Sequence, residues 1–195
     1  MIPKNTKKII NLLLRSIDRP GFNVNQLAKE LKISPGNAHL IVKDLKKKNI
    51  INSIDLKTSI YYTLNLENEE SRILAQLTLL DQKRNLPTRA SIYANDIEKF
   101  PAEIIILFGS ILEKQDFNDV DVLFIIKDKK QVKEVNDFCL KLSGIRTKTI
   151  SPLISTLDDF KTKLNDEVVL DIIKKGVIIK GTEKFIDIIK NATRK

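Results

Sequence analysis

Residues 104–126 read IIILFGSILEKQDFNDVDVLFII. Large apolar residues fill Ile104–Phe108, which runs directly into Gly109-Ser110. Further on, Asp119-Val120-Asp121 opens a second apolar run, Val122–Ile126. Short apolar runs bounded by turn residues predict buried strands. Alternate residues of a strand share a face, so Asp119 and Asp121 are expected to point the same way. Two carboxylates so placed repel unless a proton or a cation lies between them. An oxygen-only pair of this kind suits magnesium, completed by water and phosphate oxygens. The Gly-Ser turn, read as a helix start, offers backbone N–H groups to a phosphate, and glycine lets that phosphate approach closely.

This constellation, LFGS followed by NDVDVLF, resembles the nucleotidyltransferase superfamily that includes DNA polymerase beta and the small minimal nucleotidyltransferases. Phe108, Gly109, Ser110, Asp119, Val120, Asp121 and Val122 match its pattern position by position, and the resemblance covers roughly residues 88–190. It implies that Gly109 and Ser110, with Lys114 as a further contact, grip the phosphates of a nucleoside triphosphate. It also implies that Asp119 and Asp121 are the catalytic, magnesium-holding residues. In a two-metal scheme the second ion would activate an acceptor hydroxyl. In the toxin–antitoxin branch of the minimal family that hydroxyl belongs to a protein, so a protein acceptor or toxin partner is among the implied partners. Three departures stand out. Active relatives carry a third carboxylate on a later strand, whereas the strand expected over Arg146–Ile154 offers only Thr147, Thr149 and Ser151. Asp158 and Asp159 come next, in a segment that reads as a helix start. The stretch Ile111–Gln115 lacks the small and glycine residues common in relatives, and Asn118 stands where many have serine.

Charge divides the chain differently. Of 34 Lys and Arg and 25 Asp and Glu, a net +9, residues 1–66 hold 12 basic and 4 acidic residues. The remainder holds 22 and 21, so the surplus sits almost wholly in the first third. Concentrated positive charge is the electrostatic footprint of a nucleic-acid partner, because contacts to phosphate release condensed counterions. Helical clustering of Ile9, Ile10, Leu12, Leu13 and Leu14 predicts a helix over Thr6–Ser16, broken at Pro20-Gly21. A second is predicted over Asn25–Leu31 with Asn25 as cap, and a third over Ser34–Lys48 with Ser34 as cap and Pro35 in its first turn. Its buried stripe would be Ala38, Ile41, Val42 and Leu45. Ile50–Leu56, a turn at Lys57-Thr58-Ser59, and Ile60–Leu66 then read as a two-stranded wing with Ile60, Tyr62, Leu64 and Leu66 on one face.

Helix, helix, helix and wing in so short a segment, positions 1–66, resembles the winged helix-turn-helix family of bacterial and archaeal regulators. That resemblance implies a third helix in the major groove of duplex DNA, with Asn37, His39, Lys43 and Lys47 facing it. Lys46, Lys48 and Lys57 would contact phosphates, positioning the domain without reading sequence. Winged domains also serve as protein-interaction modules, so a protein partner is the other expectation for this segment.

Glu67–Glu70 suits a helix start, and Ile73, Leu74, Leu77 and Leu80 mark a stripe over Ser71–Lys83. This linking helix, residues 67–86, either packs on its own chain or forms a homodimer interface. Further helices are expected over Ala90–Phe100, Asp128–Leu142, Leu157–Leu164, Asp166–Lys174 and Thr182–Lys190, with a short strand at Gly176–Lys180. A single cysteine, Cys139, excludes an internal disulfide or a thiolate zinc site, and a single histidine, His39, excludes His-rich metal centres. Hydrophobic residues make up 42% of the chain and charged residues 30%, a globular balance. No apolar run approaches the ~20 residues that a membrane span needs. MIPKNTKKII has no secretory leader pattern, so the chain is expected to be cytoplasmic.

The expected fold class is therefore α+β: a winged helix-turn-helix at 1–66, a linking helix at 67–86 and a nucleotidyltransferase-like domain at 87–195. Two functions fit. One is a DNA-binding nucleotidyltransferase using magnesium. The other is a transcriptional regulator whose nucleotidyltransferase-type domain has lost catalysis and senses a nucleotide.

Overall fold

Turn chemistry sets the start of the chain. In the computed structural model, which describes residues 2–192, α1 (Lys4–Arg15) is followed by α2 (Val24–Leu31) and α3 (Pro35–Lys47). The cap of α2 is Asn23, not Asn25. Its side chain accepts from the Gln26 N–H at 2.9 Å while the Gln26 side chain accepts from the Asn23 N–H at 3.0 Å. Asn25, inside the first turn, has no geometry to make such a reciprocal pair. Ser34 caps α3 as expected, accepting from the Asn37 N–H at 3.2 Å. The antiparallel wing consists of β1 (Ile51–Asp55) and β2 (Ile60–Leu64), and Phe22 bridges to Tyr62 beside it. Ile60, expected on the buried face, is exposed at the wing tip. Tyr62, Leu64 and Leu66 are buried, as are Ile9, Ile10, Leu14, Leu27, Ala38, Val42, Leu45 and Ile50.

The next helix, α4 (Glu69–Arg84), corrects the expected stripe. Ile73 and Leu77 are exposed, and the buried positions are Ser71, Ala75, Thr78 and Leu79. Small residues let the helix come close, and buried hydroxyls need partners. Ser71 donates to the Ile50 carbonyl at 3.2 Å and Thr78 to the Leu74 carbonyl at 2.8 Å. Counting only large apolar residues misses such a face.

The rest of the chain runs α5 (Thr88–Ile97), β3 (Ile104–Phe108), a 3₁₀ turn (Ser110–Leu112) and β4 (Asp119–Ile126). It continues with α6 (Gln131–Ile145), β5 (Thr149–Thr156), α7 (Leu157–Thr162), α8 (Glu167–Lys175), β6 (Val177–Lys180) and α9 (Thr182–Ala192). The expected start of α6, Asp128, is instead part of a turn that precedes Gln131, whose side chain accepts from the Lys127 N–H at 3.1 Å. The sheet order is β5-β4-β3-β6, with β3 antiparallel to both neighbours and β4 parallel to β5. A parallel pair needs a long crossover, which α6 supplies. Ile105, Leu107, Val120, Val122, Phe124 and Ile126 face a core completed by α5 and α6. Cys139 lies in that core, its thiol pushed up to about 11 by burial, which makes it an unreactive packing residue. Pro152 sits on β5 at the sheet edge, where a missing N–H breaks no ladder.

Among the described residues the chain divides into two compact units, 2–78 with 186–192, and Leu79–Phe185. The sequence reading puts the division near residue 86 and the last helix wholly in the second part. Instead α4 and α9 each run across it, because neither carries a breaker where the packing changes. No helix among the described residues is long and apolar enough to cross a membrane.

Candidate nucleic-acid interface and carboxylate site

In the first unit the short turn Lys32-Ile33-Ser34 sets α3 against α2. Lys32 takes a left-handed conformation (φ 53°) that ends α2, and the Ile33 N–H donates to the Ala28 carbonyl at 3.0 Å. Ala38, Val42 and Leu45 bury one side of α3, which leaves the opposite side in water. The structure puts His39, Lys43, Lys46 and Lys47 on exposed positions and Asn37 on a half-exposed one. Lys57 is exposed at the wing tip, in a left-handed turn where its N–H donates to the Asp55 carboxylate at 3.0 Å. No ion pair holds Lys43, Lys46, Lys47 or Lys57 among the described residues. Lys48 is held, its ammonium 2.9 Å from Asp44, which raises its pKa. The free lysines are the ones available to phosphate.

The second unit builds the carboxylate site at one end of its sheet. Asp121 lies opposite Phe108 on β3 and Ser151 on β5, and Asp119 lies opposite Thr149. Both carboxylates are half-buried and on one face. Gly109 takes φ +79° and ψ −162°, and a Cβ there would come within 2.1 Å of Asp121 Oδ2. Only glycine combines that backbone with so close an approach. The Asp121 carboxyl is raised above the ordinary carboxylate range, first by burial and then by the neighbouring Asp119 charge. The Ser151 hydroxyl donates to Asp119 Oδ2 at 3.3 Å. So the adjacent strand brings a hydroxyl to the pair and not an acid.

Among the described residues, no group of three or more His, Cys, Asp or Glu side chains could hold a metal ion. Asp158 and Asp159 stay in the first turn of α7, capped by Thr156. The donor set present, two carboxylates with a hydroxyl, still fits magnesium. That ion is commonly bound through one or two carboxylates with phosphates and water completing its shell. The helix that the Gly-Ser turn opens is a short 3₁₀ segment, Ser110–Leu112. Ser110 is half-exposed there, and its carbonyl accepts from the Lys114 N–H at 2.8 Å. Lys114 is exposed at the end of that turn.

Arg89 is a residue that the sequence reading passes over. Its Nε donates to the Ile111 carbonyl at 3.1 Å, which brings a cation onto the Gly-Ser turn from α5. The two are distant along the chain, and nothing in the local pattern marks the pairing. Leu40 is passed over as well, although helical spacing alone puts it on the outward side of α3.

Residues 2–52 match the family described as winged helix-turn-helix DNA-binding. None of the curated proteins matches the chain. Among solved structures it is similar to a zinc-responsive MarR family member, ZitR of Lactococcus lactis, at 15% identity and a TM-score of 0.38, over 74% of this chain and 76% of that one. At that score the likeness adds nothing to the reading of this chain. Together the helix-turn-helix geometry, the wing and the match to residues 2–52 make the N-terminal segment a winged helix-turn-helix of the DNA-binding kind.

Proposed function

We propose that the chain is a transcriptional regulator. It binds duplex DNA through α3 and the wing, and its second unit takes a nucleoside triphosphate without rapid transfer. The observation that carries this reading is Ser151. It fills the place beside Asp119 where transfer chemistry calls for an acid, and a hydroxyl is no general base at neutral pH. General base catalysis contributes about 10²–10⁴-fold in rate. In this reading Asp119 and Asp121 would hold a magnesium ion, which would neutralise phosphate charge when bound. Gly109 lets a phosphate come close, and Ser110, Lys114 and Arg89 would supply donors and positive charge to it.

A second reading, nucleotidyl transfer to a protein or other hydroxyl, is favoured by one feature: the fold pins Gly109 against Asp121, so the motif keeps its demanding geometry. One experiment separates the two. The full chain is mixed with α-labelled triphosphates, magnesium or manganese, and candidate acceptors, including proteins encoded beside it, while its affinity for duplex DNA is followed. The regulator reading expects nucleotide binding that changes DNA affinity and leaves label on no acceptor. Label transferred in repeated turnover establishes the enzyme reading. Neither binding nor transfer removes both and leaves a DNA-binding protein.

A further inference from the structure

Positions 36, 40, 43 and 47 form one ridge of α3, since successive residues advance by about 100°. This ridge lies opposite the buried Ala38, Val42 and Leu45. Lys43 and Lys47 on it are ordinary for a solvated helix. The other two residues are not. Leu40 is 66% exposed at the middle of the ridge. Gly36 has open space around it, with nothing within 4 Å of a Cβ built there, and its backbone is ordinary helix. Neither packing nor backbone asks for glycine at 36, where alanine suits a helix better. Nothing inside the fold asks for leucine at 40.

Both choices make sense if a surface covers this ridge. The uncompensated lysines on and beside it, Lys43, Lys46 and Lys47, select a polyanion. Gly36 at the N-terminal end of α3 removes bulk where a recognition helix comes closest to base edges. In the major groove the apolar feature that distinguishes one base pair from another is the thymine C5-methyl group. We infer that Leu40 packs on a thymine methyl, so that this protein reads a T·A pair in its binding site through an apolar contact, with Gly36 allowing the approach. The inference rests on the DNA-binding half of the proposed function and is independent of the carboxylate site.

The contact is apolar and carries no charge, which separates it from the phosphate contacts around it. Leu40→Ala therefore weakens binding to the preferred site while leaving both non-specific binding and the salt slope unchanged. On the DNA side, replacing that thymine by uracil removes one buried methyl group, which corresponds to about a fourfold loss of affinity.

The test uses the full chain. Preferred sites are selected from a random duplex library with wild type and with Leu40→Ala, and affinities are read by fluorescence anisotropy. Each thymine of the selected site is then replaced in turn by uracil, which differs only by the methyl. Wild type should enrich a T·A pair at one position and lose about three- to fivefold there on uracil substitution. Leu40→Ala should be indifferent to that replacement, and Leu40→Met, which keeps an apolar tip, should remain sensitive. Because Leu40 is exposed, melting temperatures of the variants should match wild type. A site at which no thymine methyl matters, or a Leu40→Ala protein that keeps the same sensitivity, overturns the inference. Salt-sensitive binding with no sequence enriched also overturns it, and leaves the phosphate-contact reading standing. No measurable duplex binding at low salt overturns both.

Discussion

On α3, Lys43, Lys46 and Lys47 stand in water and make no ion pair among the described residues, whereas on β4 two aspartates are set together, half out of water, against a glycine. Both regions carry unbalanced charge of one sign, but they are bound to the fold differently. The lysines lie on a helix whose stability comes from its other side, so they can change without the fold noticing. Asp121 is wedged against Gly109, so its surroundings are fixed by the backbone itself. The first region can be altered freely and judged by what it binds. The second cannot be altered at the glycine without cost to the fold.

The sharpest way to break that contrast is Gly109→Ala. The new Cβ would lie 2.1 Å from Asp121 Oδ2, on a backbone with φ +79°. Backbone of that kind costs a non-glycine residue about 1–3 kcal/mol, and the clash adds to it. We expect a loss of about 3 kcal/mol, or roughly 6–12 °C in the melting temperature of a chain this size. Adding Asp121→Ala should restore only the part due to the clash. A Gly109→Ala protein that melts with wild type would mean the turn is loose, and the carboxylate site would be no better fixed than the lysines.

The reverse behaviour is expected in the first unit. Lys46→Ala with Lys57→Ala should leave the melting temperature unchanged, because both side chains are exposed and unpaired in the fold. Affinity for duplex DNA at low salt should fall on the order of tenfold, uniformly across sequences. The slope of log affinity against log salt should shrink by about two. An unchanged slope would show that these lysines do not reach phosphate.

Much of this is legible without coordinates, and the exceptions have physical causes. Ser34 and Pro35 announce the start of α3 because capping is a local matter of side chain and adjacent N–H groups. The run Ile104–Phe108 marks β3 to the residue, because a strand buried on both faces is continuously apolar. Asn23 is easily overlooked because a second asparagine, Asn25, lies close by, and only the reciprocal partner Gln26 separates them. The buried face of α4 escapes the pattern because Ser71, Ala75 and Thr78 pack by smallness and satisfied hydroxyls, which a search for leucine and isoleucine passes over. At the carboxylate site the motif supplies Gly109, Ser110, Asp119 and Asp121. The Ser151–Asp119 hydrogen bond depends on strand order, and Arg89 arrives from a helix well before the motif. Spacing along the chain says nothing of either.

The smallest expected effect tests the carboxylate pair itself. Burial, and then the Asp119 charge, raise the Asp121 carboxyl, so the folded chain holds that proton more tightly than the unfolded chain does. A group raised in this sense contributes stability that is fully present below its ordinary value of 3.8 and is lost as pH rises through the folded value. Above the folded value Asp121 is ionised, and its burial beside Asp119 is then a net cost to the fold. Asp121→Asn removes one charge at little change in shape, so it should stabilise the protein at neutral pH when no divalent cation is present. Water on the open side screens the repulsion, which limits the gain to about 0.5 kcal/mol, roughly 1–2 °C. The gain should shrink as pH falls through the raised folded value and be gone below the ordinary 3.8, where Asp121 is protonated in the folded and the unfolded chain alike. With magnesium and a nucleoside triphosphate the order should invert: wild type gains stability by binding, and Asp121→Asn, short of one ligand charge, does not. A wild type more stable than Asp121→Asn at neutral pH without divalent cations would mean that the carboxylate is held by the fold rather than strained by it. The contrast with the free lysines of α3 would then fail at its central point.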